Sequence, residues 1–177
     1  AFRSEGVGMG DFNNDGTVDA HGRLWCGSMD DGETVATGAV YCVDRGRVST
    51  VGGICPITNG PAVSADARTL YHVDTLARTI WRFDIVDRDQ NGGAPANGER
   101  FIETDARDGN PDGVVLDAEG CLWVALWGGW CVRRYSPEGK LLQSVALPCA
   151  NVTKLAFGGT DLRTAYITTA RVGLSPD

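Results

Sequence analysis

One short pattern recurs four times along the chain and constrains its fold more than any other feature: an aspartate, a turn, then an apolar residue followed by an aromatic one. The copies are Asp19-Ala-His-Gly-Arg-Leu-Trp25, Asp66-Ala-Arg-Thr-Leu-Tyr71, Asp117-Ala-Glu-Gly-Cys-Leu-Trp123 and Asp161-Leu-Arg-Thr-Ala-Tyr166. Their aromatic residues lie 46, 52 and 43 residues apart, the period of a four-stranded propeller blade. Helical repeats share that period, but the segments between the copies alternate as strands do and end in turns: Gly38-Ala-Val-Tyr-Cys-Val43, Thr79-Ile-Trp-Arg-Phe83 and Cys131-Val-Arg-Arg-Tyr135. Composition agrees. Glycine supplies 24 of 177 residues, and aspartate outnumbers glutamate 17 to 6. Glycine reaches positive φ freely and aspartate bonds its own backbone, so both favour turns over helix. The chain is expected to be all-β, and a helical bundle is excluded.

The third copy shows the order within a unit: a strand at 114–116, a turn at 117–120, and strands at 122–126, 132–135 and 141–147. This is an antiparallel meander. Four strands alone leave both faces of the sheet bare, so such blades stack around an axis with the first strand of each innermost. Segment 88–98, rich in Gly, Asn, Asp and Pro, reads as a long hairpin inside the second unit rather than a domain boundary. Blades are expected to start near residues 14, 59, 112 and 151, with 1–13 an unassigned leader and 14–177 a partial propeller. The fourth copy stops after about two strands, and the expectation is a propeller of about four blades cut at both ends.

Each copy opens on polar residues where an inner strand would begin apolar: Asn14-Asp-Gly16, Asn59-Gly60, Asp112-Gly113 and Asn151-Val-Thr153. The offsets to the landmark aromatic residue are 11, 12, 11 and 15, or 13 from Thr153. Equal register in successive blades means equal height along the axis, so these side chains are expected to meet at one mouth of the channel. Amide oxygens with a carboxylate suit a hard divalent cation such as calcium or magnesium. Singly, Asn-Gly and Asp-Gly are tight-turn dipeptides; it is the shared register that favours a site. Asp19, Asp66 and Asp117 read as hairpin residues. His21 and His72 have no cysteine or carboxylate at a ligand spacing. Asp74 either faces the site or caps a strand. Trp127 and Trp130 read as packing between blades, with lining of a pocket rim as the other option.

Several function classes drop out. The net charge of -7 carries no basic cluster, so counterion release, which drives nucleic-acid binding, has no surface to act on. The strongly apolar run 122–127 is far shorter than the roughly 20 residues that cross a bilayer. No Gly-x-Ser-x-Gly elbow marks a serine nucleophile. The six cysteines (Cys26, Cys42, Cys55, Cys121, Cys131, Cys149) are widely and irregularly spaced; they read as buried thiols, with a disulfide or two as the other option. A cytoplasmic location is expected.

Taken together, Asn14-Asp-Gly-Thr-Val-Asp-Ala-His-Gly-Arg-Leu-Trp25, Thr58-Asn-Gly60, Thr69-Leu-Tyr-His-Val-Asp74, Pro111-Asp-Gly113, Asp117-Ala-Glu-Gly-Cys-Leu-Trp-Val-Ala-Leu-Trp-Gly-Gly129, Ala156-Phe-Gly-Gly159 and Thr169-Ala-Arg171 resemble the senescence marker protein-30/gluconolactonase/regucalcin family of six-bladed propellers. The resemblance runs from Asn14 to Pro176 and implies metal-dependent hydrolysis of sugar-acid lactones. It places metal ligands at Asn59 and Asp112, with Asp112 also the general base, and a contact to substrate and water at Asn14. An acidic substrate contact is expected just after Met29, from Asp30 or Asp31, with Asp31 preferred. The implied cofactor is one divalent ion: calcium, zinc, manganese, magnesium or iron.

Two departures stand out. Phe12 replaces the arginine that the family carries two residues before Asn14, and Glu5-Gly6 lies too close to Asn14 to match the family's glutamate ligand. The rival expectations are a metal- or small-molecule-binding propeller without turnover and an inactive fragment. The chain by itself is expected to bind metal weakly, to hydrolyse lactones poorly or not at all and to associate through open sheet edges. No nucleic-acid or membrane partner is expected.

Overall fold

The computed structural model describes residues 11–88 and 92–174. Glu5 and the Phe12 side chain lie outside the described residues. Three sheets have four strands in simple sequence order. The first holds β1 (Asp11–Val18), β2 (Leu24–Asp30), β3 (Gly38–Asp44) and β4 (Arg47–Cys55). The second holds β5 (Thr58–Val63), β6 (Thr69–Asp74), β7 (Thr79–Arg88) and β8 (Gly92–Glu103). The third holds β9 (Asn110–Leu116), β10 (Leu122–Trp127), β11 (Cys131–Tyr135) and β12 (Leu141–Ala146). β13 (Asn151–Gly158) and β14 (Thr164–Ala170) form a two-stranded fourth sheet. Every pairing within these sheets is antiparallel. Helix among the described residues is a single 3-10 turn, Ala106–Asp108. None is long and apolar enough to cross a membrane.

The sheets are blades of a propeller. Their first strands touch in series, β1 on β5, β5 on β9 and β9 on β13, so they form the inner wall. The β7–β8 hairpin stays paired out to Arg88 and Gly92, which accounts for the longest repeat period.

Three apolar clusters fill the three seams. Trp25, Val40, Cys42, Leu70 and Ile85 close the first. Tyr71, Val73, Ile80, Val114, Leu122, Val124 and Leu126 close the second. Ala125, Val132, Val152 and Leu155 close the third. Side chains alternate across a strand, so Leu70 faces one seam and Tyr71 the next, and Val124 and Ala125 divide in the same way. A middle blade therefore buries both faces, and its second strand reads as the continuous apolar run 122–127.

The repeated aspartate is a hairpin clamp. Asp19 Oδ1 accepts from the His21 and Arg23 N–H groups, while Oδ2 accepts from the Trp25 indole at 2.8 Å and Arg23 Nε at 2.6 Å. Asp117 repeats this with Glu119 N, Cys121 N and Trp123 Nε1, but its arginine is Arg134 from β11. Asp66 and Asp161 keep the turn bond, to Arg68 N and Arg163 N. In those copies a tyrosine stands where the indole would be.

Candidate functional site

All four inner strands carry a β-bulge near their polar residues. Asn14 and Asp15 together oppose Gly27, because Asn13 pairs with Ser28 and Gly16 with Cys26. Gly60 and Pro61 oppose His72. Asp112 and Gly113 oppose Ala125. Thr153 is the extra residue on β13, between the Val152–Thr169 and Lys154–Thr168 pairs. A bulge bends its strand and redirects a side chain, and bulges gather next to active sites. The Asn-Asp-Gly, Asn-Gly-Pro and Asp-Gly sequences are therefore not hairpin turns. They are irregularities within strands that aim polar side chains at the axis.

These side chains line a chamber of about 370 Å³ at the channel mouth, shared by Asn14, Asn59, Asn110, Asp112, Thr153 and Glu33, with a collar that includes Met29, Leu76 and Trp127. Asn14 Nδ2 donates to Thr58 O at 2.7 Å and to Asn59 Oδ1 at 2.8 Å. Asn59 Nδ2 donates to Thr75 Oγ1 at 2.9 Å, and Thr75 Oγ1 donates to Pro111 O at 2.9 Å. One chain of hydrogen bonds thus runs across three blades and fixes the amide orientations, with Asn59 Oδ1 as acceptor. The β5 end is also pinned from the first blade: Thr58 Oγ1 donates to Ser28 O at 2.7 Å. That contact needs Gly27, since a Cβ there would lie 2.1 Å from Thr58 Oγ1.

Asp112 is the chamber's most perturbed group. Burial first, then the negative charge of Asp15, push its carboxyl up to about 7, against the pull of the Gly113 N–H and Lys154. A carboxylate in that setting gains from a nearby cation, and the donors around it are oxygens, the set that hard divalent ions take. Among the described residues no three His, Cys, Asp or Glu side chains converge as a metal cluster. Among the described residues the chamber's side-chain oxygens come from the carboxylates of Asp112 and Glu33, the amides of Asn14, Asn59 and Asn110, and the hydroxyls of Thr75 and Thr153.

Asn14, Asn59 and Asp112 come together as the register predicts. Thr153, not Asn151, completes the ring in the fourth blade, because Asn151 Nδ2 is turned to Val172 O at 2.9 Å. Asp31 is exposed and does not line the chamber. Asp30 anchors its own loop, its Oδ2 accepting from the Val35 and Thr34 N–H groups, which hold its carboxyl below the usual range. Glu33, further along that loop at φ 56°, reaches the chamber wall. Glu33 and Asn110 were invisible in the sequence: Glu33 sits in a loop without periodicity, and Asn110 precedes the repeated dipeptide.

Trp127 takes the pocket-rim reading rather than the preferred interblade packing, and Trp130 takes neither. They stand at the turn joining β10 to β11, where the blade ends, so Trp127 lines the chamber and Trp130 is 54% exposed. His72, without a partner in sequence, has Cys55 Sγ 4.0 Å from its Nε2. Burial pushes that thiol up to about 12 and His72 down to about 4, so the pair is neutral. Asp74 caps the following turn, accepting from Ala77 N. All six cysteines are free thiols.

Known proteins resemble this chain over most of its length. Residues 9–171 match the family model of the SMP-30/gluconolactonase/LRE-like region. The chain is 38% identical to pentonolactonase of Haloferax volcanii over 158 residues, 89% of this chain and 53% of that protein. It is 36% identical to 6-deoxy-6-sulfogluconolactonase of Pseudomonas putida, covering 93% of this chain and 56% of that one. Among solved structures, the calcium-binding protein regucalcin of Agrobacterium tumefaciens superposes with a TM-score of 0.86 at 33% identity, over 94% of this chain and 56% of that chain. The chain spans about half the length of the curated relatives it matches. The match over residues 9–171 and the identity to these relatives show that the chain belongs to the SMP-30/gluconolactonase/LRE-like family.

Proposed function

We propose that this chain carries the metal- and substrate-binding chamber of a hydrolase of sugar-acid lactones. The observation that supports this most strongly is Asp112: a buried carboxyl raised to about 7, set among amide oxygens at the channel mouth. Asp112 and Asn59 would hold a divalent ion; the donor chemistry favours calcium, magnesium or manganese within a set that also includes zinc and iron. When bound, that ion supplies a Lewis acid that polarises the lactone carbonyl and acidifies a water.

The chain's own residues do the rest. Asn14, fixed by Thr58 and Asn59, orients the water and the substrate. Asp112, kept ionised by the ion beside it, takes a proton as the water oxygen bonds to the carbonyl carbon. The ring C–O bond then breaks, the proton passes from Asp112 to the departing ring oxygen, and the open sugar acid results. Glu33, on the chamber wall, is a better candidate than Asp31, which does not line it, for the acidic contact to substrate hydroxyls.

Calorimetric titration with calcium and with manganese tests the site, alongside hydrolysis of gluconolactone followed by acid release. A site with few charged ligands belongs in the range of roughly 10⁻⁴–10⁻³ M. Asp112→Asn should abolish both the binding isotherm and turnover above background. An unchanged isotherm in that variant would put the ion elsewhere and end this reading. A second reading, metal or small-molecule binding without turnover, is favoured by Asp112 being, among the described residues, the one inner-strand carboxylate that lines the chamber. Metal binding that depends on Asp112, with no acid release from any aldonolactone, would select it.

A further inference from the structure

Lys154 and Asp15 are 139 residues apart and belong to blades that are not neighbours, since the inner strands touch in the series β1, β5, β9, β13. Lys154 Nζ nevertheless donates to Asp15 Oδ1. The pair is substantially buried, with the Lys154 side chain 32% and that of Asp15 15% exposed. Lys154 directly follows the Thr153 bulge, and its stem passes over Gly113 of the third blade. A Cβ at Gly113 would lie 2.8 Å from both Cβ and Cγ of Lys154, so the glycine after Asp112 keeps this path open. At the far end Asp15 sits in the β1 bulge beside Asn14, and its Oδ1 also accepts from Gly16 N at 2.7 Å. Asn14 in turn donates to Thr58 O and Asn59 Oδ1.

We propose that this ion pair is a strut across the channel and that Lys154 is a positioning residue: through Asp15 it holds the bulge that presents Asn14 to Asn59. The strut ties the two ends of the series of blades directly, where seam packing ties them only step by step. The inference rests on the lactonase reading only for its kinetic consequence, so its decisive readout is structural.

That readout is solvent exchange of the Asn14 side-chain amide, followed by nuclear magnetic resonance in the full chain. Lys154→Met keeps the stem over Gly113 and removes the charge; Asp15→Asn keeps the shape of its partner. Each should speed Asn14 exchange about tenfold or more, while the backbone amides of Val124 and Leu155 in the seams stay unchanged. Lys154→Arg should stay within about threefold of the parent, and the double variant Asp15→Asn/Lys154→Met should exchange no faster than the faster single variant, because both changes break one link.

Unchanged Asn14 exchange in Lys154→Met overturns the proposal. So does equal loosening by Lys154→Arg, or an equal acceleration at Val124 and Leu155, which would make the pair a general stabiliser. With gluconolactone, Lys154→Met should lower kcat with little change in KM. Absence of turnover in the parent chain as well would count against the lactonase reading, and the exchange experiment would still decide the strut.

Discussion

His72 lies on β6, 2% exposed, and burial alone drives its imidazole down to about 4. Its folded value is below that of the unfolded chain, near 6.5, so the unfolded state binds the extra proton between those values. Stability is therefore full above about pH 6.5 and falls as pH drops towards 4, by up to about 3 kcal/mol. Urea unfolding of the parent and of His72→Leu at pH 7.5 and pH 4.5 measures this. The parent should lose about 2–3 kcal/mol more than the variant across that interval; parallel losses would show that His72 does not set the acid limit. In the chamber, Asn59→Ala removes an oxygen donor and the acceptor for Asn14, yet leaves Asp112 in place. Calcium affinity should weaken about tenfold or more by calorimetry, and excess metal should restore turnover. Failure of excess metal to do so would give Asn59 a role in substrate handling instead.

At the scale of elements, one motif is used at graded strength. Burial pushes the Asp19 carboxyl up, but the Trp25 indole and Arg23 together hold it below the usual carboxylate range. Its side chain and that of Arg23 are almost wholly buried, whereas Asp161 is exposed and its bond is to Arg163 N. Asp19→Ala should therefore cost about 3–5 kcal/mol, the scale for breaking a buried ion pair. Asp161→Ala should cost less than about 1 kcal/mol. Equal costs by urea denaturation would mean that the clamp works through its turn bonds alone. The first seam makes a separate demand at Gly27, where a methyl group would meet Thr58 Oγ1 at 2.1 Å. Gly27→Ala should destabilise by about 1–3 kcal/mol, and it should also raise Asn14 side-chain exchange, because Thr58 O is that amide's acceptor.

Over the whole molecule, apolar side chains remain outside the three seams. Leu24 and Val48 on the first blade are 39% and 45% exposed, and Tyr166 on β14 is 60% exposed. Sheet surfaces and edges of this kind favour association. Light scattering after size exclusion should find the chain larger than a monomer at micromolar concentration, and Leu24→Lys/Tyr166→Glu should shift it towards the monomer. A monomeric parent would show that these faces are too small or too well hydrated to pair.

The repeat of aspartate and aromatic residue was sufficient to predict the blades, because each copy carries its own turn: the carboxylate and the turn N–H groups lie within a few residues, joined in the first and third copies by the indole. The same locality made the strand order and the common height of Asn14, Asn59 and Asp112 legible, since residues at one register in repeated units share one level. The bulges were not legible. Asn-Asp-Gly and Asp-Gly favour tight turns when taken alone, and only stacking against the neighbouring blade, with Gly27 under Thr58 and Gly113 under Lys154, holds them inside strands. Glu33 reached the chamber through a loop whose path its own sequence does not encode, while Asp31, two residues earlier, stayed in solvent. Asp15 and Lys154 meet because the ring of blades curves, a distance that no local pattern specifies. What repeats was set by short-range chemistry, and what crosses the axis was set by the curvature with which successive blades stack around it.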